Sequence, residues 1–157
     1  MLCNRSIFVC FGWWLVIDAA MHTFNKRLQV RLQKHNISFG HWTFLRILWS
    51  SDGLTQKELS DLAGVMEPTT FSAIKAMEEL GYVERRQRPT NRKNMYVHLT
   101  VKGKALKKLL VPLAVDVNHV AVQGVRAADL LITRKVLLQV IENLAHEEVR
   151  MDTQSGT

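Results

Sequence analysis

Nine lysines and arginines lie between Gly81 and Lys108 (Arg85, Arg86, Arg88, Arg92, Lys93, Lys102, Lys104, Lys107 and Lys108), against one acid, Glu84. A cluster of one sign this dense repels itself unless something anionic lies against it. The chemistry such residues offer is the neutralisation of phosphate, not the making or breaking of bonds. Arg85, Arg86, Arg88, Asn91, Arg92 and Lys93 fall in or beside a loop between two β-like runs, 82–85 and 95–99. Those runs predict a hairpin with a basic tip. A mobile solvated loop is the plain alternative.

The residues just upstream explain what the hairpin would accompany. Thr55-Gln56-Lys57-Glu58 has the spacing of a capping box, so a short helix is expected to start there. Gly64 suits its end, because glycine accepts the left-handed conformation of a helix stop. Pro68 suits the first position of a second helix. Phe71, Ile74 and Met77 give that helix an apolar stripe, which leaves Thr69, Ser72, Lys75, Ala76 and Glu79 outward. Gly81 ends it. Two short helices joined through a glycine turn make a helix-turn-helix. The small, partly cationic outer face of the second could enter a major groove. The candidate DNA contacts here are Thr55, Gln56, Pro68, Thr69, Thr70, Ser72 and Lys75. An ordinary solvated helix face is the other reading.

A second constellation suits a small organic acid. His22 and Asn25, with Arg27 nearby, fall on a first helix; His41, Trp42 and Arg46 fall on a second. An arginine can pair both oxygens of a carboxylate, a histidine can hydrogen-bond a phenol, and an indole supplies a flat apolar wall. Arg46 sits within Phe44-Leu45-Arg46-Ile47-Leu48-Trp49, where a charge needs a partner. A structural ion pair would also satisfy it. Cys3 and Cys10, the two cysteines, are seven apart and have no metal-ligand spacing; they read as free thiols, with a redox-sensing role for Cys10 as an alternative. No metal or cofactor is expected. There is no nucleophile beside a base, no paired carboxylates in an apolar setting, no P-loop and no Rossmann glycines, so an enzyme is not expected.

These sites need elements to hold them. The chain has 157 residues, 47% of them hydrophobic, with a net charge of +7. That is enough chain for one domain with a core of its own. The pattern predicts a mainly helical protein with a short β-hairpin wing: a winged helix-turn-helix lobe over about residues 36–100, flanked by dimerisation helices over about 6–35 and 101–148. The helix over 39–50 is capped by Ser38, and Pro112 is expected to kink the one that starts after Thr100. The terminal helices carry more apolar surface than a small lobe can cover, which implies a homodimer about a two-fold axis. The run from Ile7 to Ile17 is interrupted by Asp18 and is shorter than a membrane span, so it reads as a buried interface helix, with a signal peptide as the alternative. No membrane partner and a cytoplasmic location are expected.

Several stretches together resemble the MarR family of bacterial transcription regulators. They are Gly53 to Leu59, Thr69 to Leu80, the run Glu79-Leu80-Gly81-Tyr82-Val83-Glu84-Arg85, and Val97 to Gly103. The resemblance implies a homodimeric repressor on a pseudo-palindromic DNA operator. It also implies release by a small aromatic carboxylate or phenol bound between the dimer helices and the DNA-binding lobe; some members sense oxidants through a cysteine instead. A constitutive or thiol-switched regulator without a ligand is the alternative. The sequence departs from the family at the wing tip. Asn91-Arg92-Lys93 stands where the family usually carries an Asp-x-Arg, so the brace on a minor-groove arginine is altered.

Overall fold

The computed structural model describes the backbone of residues 4–88 and 91–154, and side chains over 12–87 and 94–147. The elements run α1 (Asn4–Gln33), α2 (Phe39–Ser50), β1 (Leu54–Thr55), α3 (Gln56–Ala63), α4 (Glu67–Glu79), β2 (Val83–Arg88), β3 (Asn91–Leu99), α5 (Val101–Ala121) and α6 (Ala127–Gln154). The mainly helical class with a hairpin wing is therefore as expected. Contacts group residues 1–121 into one unit and 122–157 into a second.

Local chemistry sets the boundaries. Asn36 turns left-handed after α1 at φ 57°, and Ser38 caps α2 by accepting from the His41 amide at 3.1 Å. At α3 the capping box closes in both directions: the Glu58 amide donates to Thr55 Oγ1 at 3.2 Å, and the Thr55 amide donates to the Glu58 carboxylate at 2.7 Å. Gly64 ends α3 at φ 63°. The next helix begins at Glu67, one residue ahead of Pro68. α5 runs unbroken through Pro112.

The hairpin is longer than the sequence pattern predicts, and it belongs to a three-stranded antiparallel sheet of order β1-β3-β2. β1 was not foreseen. It is two residues long and pairs Leu54 with Val97 and Thr55 with Tyr96. Asp52 fastens the same corner, its Oδ1 accepting the Leu99 amide at 2.8 Å.

One core holds the lobe together. Leu32, Leu45, Leu59, Ile74, Met77, Val83, Val97 and Leu110 are wholly buried, so every element from α1 to α5 except β1 contributes a fully enclosed side chain. α5 is joined to the lobe at its first turn. Gly103 packs on the backbone beyond α4 so closely that a Cβ there would stand 2.0 Å from the Tyr82 carbonyl oxygen. Trp49 Nε1 donates to the Gly103 carbonyl at 3.0 Å. None of the described helices is long and apolar enough to cross a membrane.

Candidate nucleic-acid interface and adjoining cleft

The face of α4 follows from which residues the core claims. Thr70, Ile74 and Met77 are buried. They are spaced four and three apart, the repeat of a single helical face. The opposite side presents Pro68, Thr69, Ser72, Lys75 and Glu79, all exposed. Ser72 Oγ donates to the Pro68 carbonyl at 3.0 Å, which leaves its lone pairs outward. This surface is small, polar and partly cationic, as a groove-reading helix requires.

One expected contact is corrected by the packing, and two others are occupied locally. Thr70 cannot reach DNA, because it is 0% exposed and its Oγ1 accepts from Ser60 Oγ at 2.8 Å. Gln56 is half-buried with Nε2 shut away from solvent, unpaired among the described residues. Thr55 has its hydroxyl engaged with Glu58, 2.8 Å away, so its role is the cap. Phe71, expected inside, is exposed instead.

The basic residues divide. Arg85 is half-buried against α4: its Nε and Nη2 donate to Glu78 Oε2 at 2.9 and 2.6 Å, and its backbone amide donates to Glu78 Oε1 at 3.3 Å. The hydrogen bond from Arg85 holds the Glu78 carboxyl below its usual range. Arg86 points the other way, exposed and paired with Glu84. The side chains of Arg88, Asn91, Arg92 and Lys93 lie outside the described residues; in the backbone, Arg88 opposes Asn91 across the hairpin.

The five residues expected to hold an organic acid do not all meet. Asn25, Trp42 and Arg46 line one cleft of about 520 Å³, together with Phe24, Leu28, Phe39, Thr43, Ala63, Val117 and Asn118. Its wall is mostly apolar. Arg46 is exposed at this cleft and forms no ion pair among the described residues. His22 is exposed on α1 and does not line the cleft. His41 does not line it either. It lies one residue off the cleft-facing series of α2, half-buried, with Nδ1 lacking a hydrogen-bond partner among the described residues. Burial lowers its pKa, because desolvation disfavours the charged ring. A neighbouring cleft of about 610 Å³ shares Phe24 and Val117 and contains Arg27 and Arg31. Arg31 is already engaged, donating to the Leu113 carbonyl at 3.2 Å and facing Asp116 at 3.6 Å. No cluster of metal-binding side chains occurs among the described residues.

Two short helices joined through a left-handed glycine, then a ribbon returning beside the second, define a winged helix-turn-helix. A sequence model of the MarR family matches residues 37–95, which span that lobe. The regulator TtmR of Methylorubrum extorquens is 31% identical over 100 residues, 63% of this chain and 49% of its own length. The chain thus spans about half of TtmR. The organic hydroperoxide resistance transcriptional regulator of Bacillus subtilis is 24% identical over 87% of this chain and 88% of its own. In structure, a MarR-family regulator of Listeria monocytogenes complexed with a 26mer DNA superposes with a TM-score of 0.78 at 25% identity, over 85% of this chain and 89% of that one. The chain is thus similar to the MarR family of transcription regulators, in sequence over residues 37–95 and in fold over 85% of its length.

Proposed function

We propose that the protein is a homodimeric repressor that reads a pseudo-palindromic operator and leaves it when a small aromatic carboxylate or phenol binds. The observation that carries the DNA-binding part is the outer face of α4, where Thr69, Ser72 and Lys75 stand clear beside the basic hairpin. Lys75 and Ser72 reach base edges in the major groove; Arg86, Arg88, Arg92 and Lys93 supply the phosphate and minor-groove contacts. A dimer sets two such units against half-sites about one helical turn of DNA, ~34 Å, apart. Apolar residues left uncovered on α1 (Trp13, Trp14, Leu15, Val16) and on α6 (Leu131, Ile132, Ile141, Leu144) support pairing with a second copy.

The cleft supports the effector. An exposed arginine among apolar walls and amide side chains suits a carboxylate on an aromatic ring. A line of contacts leads from it towards α4. Trp42, in the cleft wall, meets Trp49 edge to face at 5.7 Å between ring centres. Trp49 bonds Gly103, Gly103 abuts Tyr82, and Lys102 Nζ donates to the carbonyl of Leu80, the C-cap of α4, at 2.8 Å. A ligand that favours a dimer with misplaced recognition helices by about 100-fold shifts the equilibrium by ~2.7 kcal/mol, enough to empty an operator.

The test is a thermal-shift screen of the purified protein with salicylate, benzoate and simple phenols, hits then being titrated against protein bound to duplex DNA selected on it. A hit should raise the melting temperature, release the DNA and lose both effects in Arg46→Ala. Selected DNA with no hit would leave a constitutive regulator; no selected DNA would refute the whole reading.

A further inference from the structure

Arg85 lies in the most basic stretch of the chain, yet it faces away from the surface where that stretch would meet a polyanion. β2 alternates its side chains. Glu84 and Arg86 fall on one side and pair with each other; Val83 and Arg85 fall on the other, towards α4, with Val83 buried. There a single carboxylate, Glu78, takes both the backbone amide and the guanidinium of Arg85. The guanidinium carbon also lies 5.9 Å from the centre of the Phe71 ring. Phe71 and Glu78 are seven residues apart, two turns along one flank of α4, or about 10 Å. The arginine therefore spans that flank, stacked at one end and bonded at the other.

We propose that Arg85 is a positioning residue and not a phosphate ligand: with Glu78 and Phe71 it fixes the angle between the recognition helix and the wing, so that both enter their grooves together. The inference rests on reading the lobe as DNA-binding. A guanidinium serves this role because it stacks and donates a fork at once; an ammonium does only part of it. The latch also explains the exposure of Phe71, expected in the core. Its ring lies on the flank of α4, at the edge of the outward face, with the arginine guanidinium over one side of it.

The arrangement makes an unusual prediction for Glu78→Gln. Removing an acid from a lobe that binds a polyanion should strengthen binding if charge alone decides. A positioning role predicts the reverse. The experiment measures the affinity of wild type, Arg85→Ala, Arg85→Lys and Glu78→Gln for duplex DNA enriched on the wild-type protein, as a function of salt, with circular dichroism confirming that each variant is folded. Glu78→Gln should bind the selected duplex about ten-fold more weakly, with its salt slope unchanged, and Arg85→Lys should recover little of what Arg85→Ala loses. A slope shallower by about 0.9 in Arg85→Ala would mark the arginine as a phosphate contact and overturn the proposal. So would stronger binding by Glu78→Gln, which does not depend on Arg85→Ala folding. If wild type enriches no duplex, the DNA-binding reading itself fails and the proposal falls with it.

Discussion

Leu45, Leu59, Ile74 and Val97 in the lobe are wholly buried, whereas Trp13, Trp14, Leu131 and Ile141 on the terminal helices stand more than half exposed in the same chain. Polar groups show the same division. Thr70 is buried but finds Ser60, and Leu80, at the end of α4, has its carbonyl taken by Lys102. The lobe encloses a core of its own, and most of its buried polar groups find partners within it, His41 Nδ1 and Gln56 Nε2 being exceptions among the described residues. The terminal helices carry large apolar side chains that the described residues leave exposed, which is the ground for the association proposed above.

A substitution in the lobe should therefore cost folding, and one on α1 should cost assembly. The largest effect is expected from Gly103→Ala. Its methyl would stand 2.0 Å from the Tyr82 carbonyl oxygen, and backbone cannot yield as a side chain can. Stability should fall by about 3 kcal/mol, read as a lower urea midpoint at unchanged slope. Trp14→Glu should leave the lobe's circular dichroism intact and weaken the proposed dimer by about two orders of magnitude in sedimentation equilibrium. A Trp14→Glu protein that stays dimeric at nanomolar concentration would place the interface elsewhere and dissolve the contrast. The smallest effect sharpens it from the side of the lobe. Arg85 holds the Glu78 carboxyl below its ordinary value of 4.5. A depressed carboxyl contributes its stability in full above the unfolded value and loses it as pH falls through the folded one. Wild type should thus exceed Glu78→Gln in urea midpoint at neutral pH, and the gap should close as the pH drops below about 4.5.

The helix-turn-helix and the wing could be read from the sequence because their signals are local. Thr55 and Glu58 are three residues apart and satisfy each other, and Gly64 takes the conformation its residue type permits. The inward face of α4 was misread for an equally local reason. Phe71, Ile74 and Met77 are spaced three apart and drift across 120° of helix. The true buried face is Thr70, Ile74 and Met77, and Thr70 can join it only because Ser60 of α3 supplies a partner. That partner is a tertiary fact, and so is the acid that withdraws Arg85. β1 was missed because two residues carry no periodicity; their strand exists through pairing with β3. Asn25, Trp42 and Arg46 do line one cleft, a proximity that helix membership alone made legible. Excluding His22 and His41 required knowing how α1 and α2 are turned about their axes.

The contact at Gly103 has a mechanical consequence. Backbone pressed on backbone, with Trp49 bonded to the same residue, gives α5 no room to slide along its length at that point. What is left to it is tilting, with Gly103 as the fulcrum. Val117, which lines both clefts, lies fourteen residues further on, an arm of about 21 Å. A push on the order of 1 Å at that end turns the helix by about 3°. At the fulcrum the same turn arrives as a rotation with almost no translation, delivered beside Tyr82 and the end of the recognition helix. Such a joint would trade distance for angle, and in the dimer proposed above angle would decide whether two recognition helices fit successive grooves.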